Sequence, residues 1–106
     1  MFGNAKKSPF YDIGRSPEAT TYLATELDRL MALPLTTPAE VEHWYEEAGA
    51  VGAALKHRFP HFEPDHEVSH FLCDADIRSR DSGYCERQHK FMSEYVQDLR
   101  KHPGID

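Results

Sequence analysis

Residues 37–60 read TPAEVEHWYEEAGAVGAALKHRFP, and the fold class follows from this one stretch. It opens on Thr37-Pro38-Ala39-Glu40, a capping box in which the threonine hydroxyl and the glutamate carboxylate each satisfy an orphan backbone N–H at a helix start. Val41, Trp44, Tyr45, Ala48, Val51, Gly52, Leu55 and Phe59 then recur at three- and four-residue intervals, the period of one helical face. Pro60 closes the run. Gly49 and Gly52 lie among Ala48, Ala50, Ala53 and Ala54; each costs about 1 kcal/mol relative to alanine inside a helix, which predicts close packing against a neighbouring helix. Neither a G-x-G-x-x-G nor a P-loop spacing surrounds these glycines and no strand precedes them, so a phosphate cradle is not the reading.

Working outward, the same punctuation recurs on both sides. Ser16 as N-cap, Pro17 at the first helical position and Glu18 in the first turn open an earlier helix. Its stripe is Ala19, Leu23, Leu27 and Leu30, and Pro34 ends it. On the other side a third helix is expected from Pro64 to about Arg80, with Val68, Phe71, Leu72 and Ala75 inward. Asp81-Ser82-Gly83 reads as a turn, and a fourth helix runs from Tyr84 to about Lys101 on Tyr84, Cys85, Gln88, Phe91, Met92, Tyr95, Val96 and Leu99, before His102-Pro103-Gly104. Glu86 and Lys90 form an i,i+4 pair on its wet side. Residues 1–15, with Phe2, Phe10, Tyr11 and Ile13 among glycines and a proline, read as an irregular arm whose aromatics dock on the body. The expectation is an all-α protein: a compact four-helix bundle over residues 16–106, a single helical domain, preceded by the arm.

Composition agrees and narrows the function. A chain of 106 residues with 40% apolar and 28% charged side chains is one soluble domain, large enough to bury a core without disulfide or metal staples. Twelve basic against eighteen acidic residues leave a net charge of −6, which repels nucleic acid and anionic membranes. Only residues 1–15 are basic on balance. No stretch is long and apolar enough for a membrane span, and MFGNAKKSPF lacks the hydrophobic run of an export signal, so the expected location is the cytoplasm. Cys73 and Cys85 are too few for a disulfide framework and suit a reducing compartment.

The chemistry-bearing residues concentrate in one place. His57, His61, His66 and His70 lie within fourteen residues, and the last two belong to His66-Glu67-Val68-Ser69-His70. On a helix, imidazoles at i and i+4 share a face and can share a metal ion, while the glutamate between them can polarise metal-bound water. The pentad resembles the zinc-metalloprotease signature. That resemblance covers five residues; it implies His66 and His70 as ligands of zinc or another divalent transition metal, and Glu67 as general base.

Helical phase points elsewhere. With Val68 at zero, Phe71, Leu72 and Ala75 fall within about 60°, whereas His66, His70, Cys73 and Ile77 lie roughly 140–200° away, opposite the core. Glu94 and Asp98 of the fourth helix cannot reach round to supply the third ligand that catalytic zinc needs. His66, His70, Cys73 and Ile77, with Arg78 and Arg80 in the charged stretch that follows, read instead as an interaction surface. Arg78 and Arg80 either lie in a solvated helix end or hold Glu86 or an acidic partner.

Other constellations fail. Asp74-Ala75-Asp76 starts like a calcium loop, but Ser79 stands where glycine is required and Cys85 where glutamate is. Cys73 and Cys85 stand too far apart in height along a hairpin to pair, and Cys85 beside His89 falls on the core side, where burial would dull a nucleophile. The expected protein is therefore a small acidic interaction or regulatory module without intrinsic catalysis and without a cofactor, acting through the outer surface of the third and fourth helices on a protein partner or a second copy of itself. The alternative is a metal-binding protein or zinc-dependent hydrolase centred on His66 and His70.

Overall fold

A computed structural model describes residues 9–104; the first eight residues of the expected arm, including Phe2, lie outside the described residues. The helices are α1 (Pro17–Met31), α2 (Pro38–Arg58), α3 (His66–Cys73), α4 (Ala75–Arg80) and α5 (Ser82–Lys101). Four of these begin on a side chain that takes an orphan backbone N–H. Ser16 Oγ accepts from the Ala19 N–H at 3.2 Å. The Thr37 hydroxyl accepts from Glu40 N–H at 3.1 Å while Glu40 Oε1 accepts from Thr37 N–H at 3.2 Å, completing the capping box. Asp65 and Asp81 cap α3 and α5 through Glu67 N–H at 2.9 Å and Tyr84 N–H at 3.0 Å. These two aspartates shift the expected boundaries: α3 starts two residues after Pro64, and α5 takes in Ser82 and Gly83, leaving Asp81 alone between helices.

There are five helical segments where four were expected, because the anticipated third helix breaks at Asp74. The cause is a side chain from α2. Tyr45, expected only as packing, places its hydroxyl in the ladder: its proton is shared between the Cys73 carbonyl at 2.9 Å and Asp76 Oδ1 at 2.8 Å, and its oxygen accepts from Asp76 N–H at 3.1 Å. Both backbone groups are thereby supplied from outside the helix, and a helix bends where a side chain inserts into its i→i−4 bonds. The same hydroxyl holds the Asp76 carboxyl below the usual carboxylate range.

The core sits between α1 and α5, which make the most extensive pairing, with α2 laid across α1, α3 and α4. Leu23, Leu27 and Leu30 of α1, Trp44 and Val51 of α2, Phe71 of α3, and Met92, Tyr95 and Leu99 of α5 are all buried. Each such side chain contributes roughly 1.5–3 kcal/mol of burial free energy. Trp44 meets Phe71 edge-on at 5.3 Å, and its indole N–H donates to the Leu30 carbonyl at 2.9 Å, which also accepts the Leu33 N–H at 3.2 Å at the end of α1.

Close packing does not explain the glycines of α2. A Cβ built on Gly49 or Gly52 would meet nothing within 4 Å, so both face open space. The alanine-rich context suggested a small-residue seam; the neighbouring helices in fact approach α2 elsewhere. Gly14 is different. It has φ +75°, and a Cβ there would lie 2.1 Å from the His61 carbonyl oxygen, so only glycine lets the arm turn against the 59–65 connection.

That arm is part of the body over its described length. Phe10 stacks edge-on against Phe91 at 5.2 Å and Tyr95 at 5.1 Å. Ile13 exchanges two backbone hydrogen bonds with Glu63, at 2.9 and 2.8 Å, as an isolated antiparallel bridge. Tyr11 and Ile13 are turned outward, 82% and 62% exposed. Among the described residues no strand forms and no helix is long and apolar enough to cross a membrane.

Candidate functional site

The outer face of α3 and α4 carries most of the side chains expected there. His66 and His70 sit one turn apart with ring centroids 5.7 Å apart and the planes near perpendicular. Both are exposed, as is Cys73, and Ile77 is 37% exposed on the next turn. His66 lies between two carboxylates, Asp65 Oδ1 at 3.6 Å and Glu67 Oε2 at 3.7 Å. His57 and His61 are exposed on the preceding segment. Among the described residues, no group of three or more histidine, cysteine, aspartate or glutamate side chains is arranged to hold a metal ion.

Arg80 is exposed and turns to Asp76, at 3.4 Å one helical turn back, rather than to Glu86. Arg78, expected on the same surface, is a correction: it is only 4% exposed. Its guanidinium lies over the rings of Phe71 at 4.2 Å and Trp44 at 4.5 Å. Nη1 donates to the Phe71 carbonyl at 2.8 Å and to Gln88 Oε1 at 2.5 Å. A planar, weakly hydrated guanidinium tolerates such a slot where an ammonium would not. Burial lowers its pKa, yet an arginine that starts so high stays charged. Phase alone pointed inward, since residue 78 falls within about 20° of Phe71 at 100° per residue; its charge had set it outside.

Gln88 passes the arginine's polarity onward. Its Nε2 donates to Asp74 Oδ2 at 3.1 Å, and the same carboxylate oxygen accepts the Tyr84 hydroxyl. That bond pushes the Tyr84 phenol upward in pKa. Asp74, expected in a solvated helix end, is thus an anchor between the α3–α4 break and α5.

His89, beside Phe71 at 6.1 Å between centroids, is held below the ordinary imidazole range, by burial first and by the charge of Arg78 second. The unfolded chain then takes up a proton that the folded chain resists. The associated stability is complete above about pH 6.5, the unfolded-chain value, and is lost as the pH falls from there through the lower folded-state value. A His89→Leu variant should show a shallower fall in urea midpoint between about pH 6.5 and 5; an unchanged slope would mean that His89 is not the group responsible.

A second constellation escaped sequence reasoning entirely. Asp12 Oδ1 accepts from the Asp65 N–H at 2.5 Å and the Tyr95 hydroxyl at 2.9 Å, and Asp12 Oδ2 pairs with Arg15 Nε at 2.5 Å. Arg15 also pairs with Asp98 at 2.8 Å, and Asp65 Oδ2 accepts the Tyr11 N–H at 2.9 Å. Burial, reinforced by the Asp12 charge, drives the Tyr95 phenol far above its usual range. Burial opposes the charge on Arg15, but the Asp12 and Asp98 carboxylates outweigh it and raise its pKa. With every oxygen of Asp12 engaged, this is a fastening of the arm. The only sequence signal for it was a pair of charged residues, Asp12 and Arg15, beside the apolar Phe10, Tyr11 and Ile13 of the arm.

Between α2 and α3, on the side of α3 away from the α5 interface, lies a largely apolar cavity of about 370 Å³ lined by Gly52, Leu55, Phe59, Phe62, Val68 and Leu72, with Lys56, Glu63 and Ser69 also contributing. Comparison with protein-family models, with curated proteins and with solved structures gave no match. The class is therefore set by fold and surface alone: a helical domain with an exposed imidazole and apolar face on α3 and α4, and a separate cavity between α2 and α3.

Proposed function

We propose that this chain is a small acidic interaction or regulatory module without intrinsic catalysis, working in the cytoplasm and meeting a protein partner or a second copy of itself through His66, His70, Cys73, Ile77 and Arg80. The observation that carries the reading is Ile77 of α4, one of three large apolar side chains exposed among the described residues, placed across the break at Asp74 from Cys73 and His70. An exposed apolar side chain that shares the outer surface of α3 and α4 with two imidazoles and an arginine has the make-up of a contact patch. In this reading α3 and α4 act as one bent rod, so that the domain works as the four-helix bundle suggested by the sequence. Free thiols at Cys73 and Cys85 suit a reducing compartment, and the net charge of −6 argues against nucleic acid and anionic membranes.

Sedimentation velocity over a micromolar range tests this. Self-association, or capture of a defined partner, should weaken at least tenfold in both Ile77→Glu and His70→Glu. In a Cys85→Ser background, mild oxidation should trap a homodimer through Cys73 if the partner is a second copy. A strict monomer, with no partner whose capture depends on Ile77 and His70, would remove the reading.

The 5.7 Å approach of the His66 and His70 rings favours a second reading, a metal-binding protein or zinc-dependent hydrolase. Two imidazoles at i and i+4 can share a divalent transition metal, with the remaining ligands supplied from outside the described side chains. Elemental analysis of untagged protein and thermal shift with added zinc decide it. Retained metal with turnover lost in Glu67→Gln would mark the hydrolase; retained metal without turnover would mark simple binding.

A further inference from the structure

The cavity between α2 and α3 has one feature that the packing of the fold does not require. Its wall contains Gly52, in the interior of a helix, at a point where a Cβ would touch nothing within 4 Å. A side chain there would have room at the edge of the cavity that Gly52 lines. The remaining walls are Leu55 and Phe59 of α2, Phe62 of the connection, and Val68 and Leu72 of α3, while Pro60 and Pro64 stiffen the connection on one side. At about 370 Å³ the volume falls in the range of small-molecule sites and matches roughly a dozen water-sized groups at about 30 Å³ each.

Polar groups among the lining are few and specific. Lys56, one turn after Gly52, is exposed and has no ion pair among the described residues, and neither has the Ser69 hydroxyl of α3 a hydrogen-bond partner there. Asp65 also lines the space, but its carboxylate is already taken by the Tyr11 and Glu67 N–H groups. Glu63 is the one acid left with a free carboxylate. Lys56 and the Ser69 hydroxyl offer donors to a single negative charge, while Glu63 on the same lining repels a second one, which disfavours a dianion such as a phosphate monoester.

We propose that this cavity binds a small amphipathic carboxylate, an unbranched acyl chain of about ten to twelve carbons, with its tail against Leu55, Phe59, Phe62 and Val68 and its carboxylate held by Lys56 and Ser69. Gly52 is the residue that leaves room for the tail. This goes beyond the contact surface proposed above, lies on a different side of α3, and stands or falls independently of it.

Titration of the full chain with decanoate, followed by calorimetry and by NMR shifts of α2 and α3 amides, tests the assignment. Saturable one-to-one binding is expected. Gly52→Leu should weaken it at least tenfold, with the helical circular dichroism and melting cooperativity unchanged; Gly52→Ala, a smaller intrusion that also favours the helix, should weaken it less. Lys56→Met should reduce decanoate affinity several-fold while leaving decanol, the neutral analogue, unaffected. No saturable binding at millimolar decanoate overturns the proposal. Binding indifferent to Gly52→Leu overturns the location, and equal loss of decanoate and decanol affinity in Lys56→Met overturns the carboxylate assignment. If the site accepts an amphipathic helical peptide but no decanoate, the occupant is a protein and the proposal fails. A protein that carries an acyl group into the site and a free acid are distinguished by whether decanoate alone saturates it.

Discussion

Asp12→Ala is expected to lower the free energy of unfolding by about 3–5 kcal/mol, a large part of the roughly 5–15 kcal/mol that holds a domain together. The carboxylate is 2% exposed and serves three donors at once: the Asp65 N–H, the Tyr95 hydroxyl and Arg15 Nε. Its removal leaves a backbone amide and a buried phenol without an acceptor. Arg15 keeps Asp98 and the His102 carbonyl. An orphaned buried donor costs about 1–3 kcal/mol, and a charge that loses its buried partner costs more. The loss spreads to the N-cap of α3, because Asp65 is the residue that Asp12 holds in place. Urea unfolding measures the effect, and near-ultraviolet circular dichroism shows whether the Phe10 contacts with Phe91 and Tyr95 go with it. Asp12→Asn keeps the shape and the Oδ1 acceptor but turns an amide N–H toward Arg15, so its cost should fall between wild type and alanine. A loss below about 1 kcal/mol for alanine would mean that the arm rests on the helices without contributing to their stability.

The second expected result is a contrast at one position. Arg78→Ala should cost about 3 kcal/mol or more, since it empties a slot between Phe71 and Trp44 and ends the cation–π contacts at 4.2 and 4.5 Å. Arg78→Met should stay within about 1 kcal/mol of wild type. The reason lies in what the buried cation lacks. Among the described residues its Nε and Nη2 have no hydrogen-bond partner and no carboxylate pairs with it directly; Asp74 is linked to it through Gln88. A thioether of similar length restores the packing without the desolvation cost, at the expense of leaving the Phe71 carbonyl and Gln88 Oε1 without that donor. Paired thermal and urea melts of the two variants decide the matter. Equal losses in both would show that the two hydrogen bonds of Nη1, rather than the filled volume, hold α4 in place.

What was legible in the sequence was legible for local reasons. Ser16 and Thr37 act as caps because capping needs only a hydroxyl and the next three residues, and the apolar periods of α1, α2 and α5 place Leu23, Trp44, Val51, Met92, Tyr95 and Leu99 in the core without knowledge of any partner. The outward phase of His66, His70, Cys73 and Ile77 follows from the same counting. Arg78 was misplaced because its charge was given more weight than its phase, and burial of an arginine depends on which aromatic rings stand across from it. The break at Asp74 was hidden because no residue near it is a helix breaker; it is made by Tyr45, 28 positions before Cys73, whose carbonyl it takes.

The sequence by itself determined that the chain is helical, where its first two helices begin, and which faces turn inward, since each of these depends on interactions spanning four residues or fewer. Tertiary structure alone decided that the expected third helix is two, that Arg78 lies inside, that Asp12 fastens the arm, and that Gly52 borders an open space. Each of those rests on a hydrogen bond, a ring contact or a void between residues far apart in the chain, and which distant groups meet is fixed only when the helices have packed.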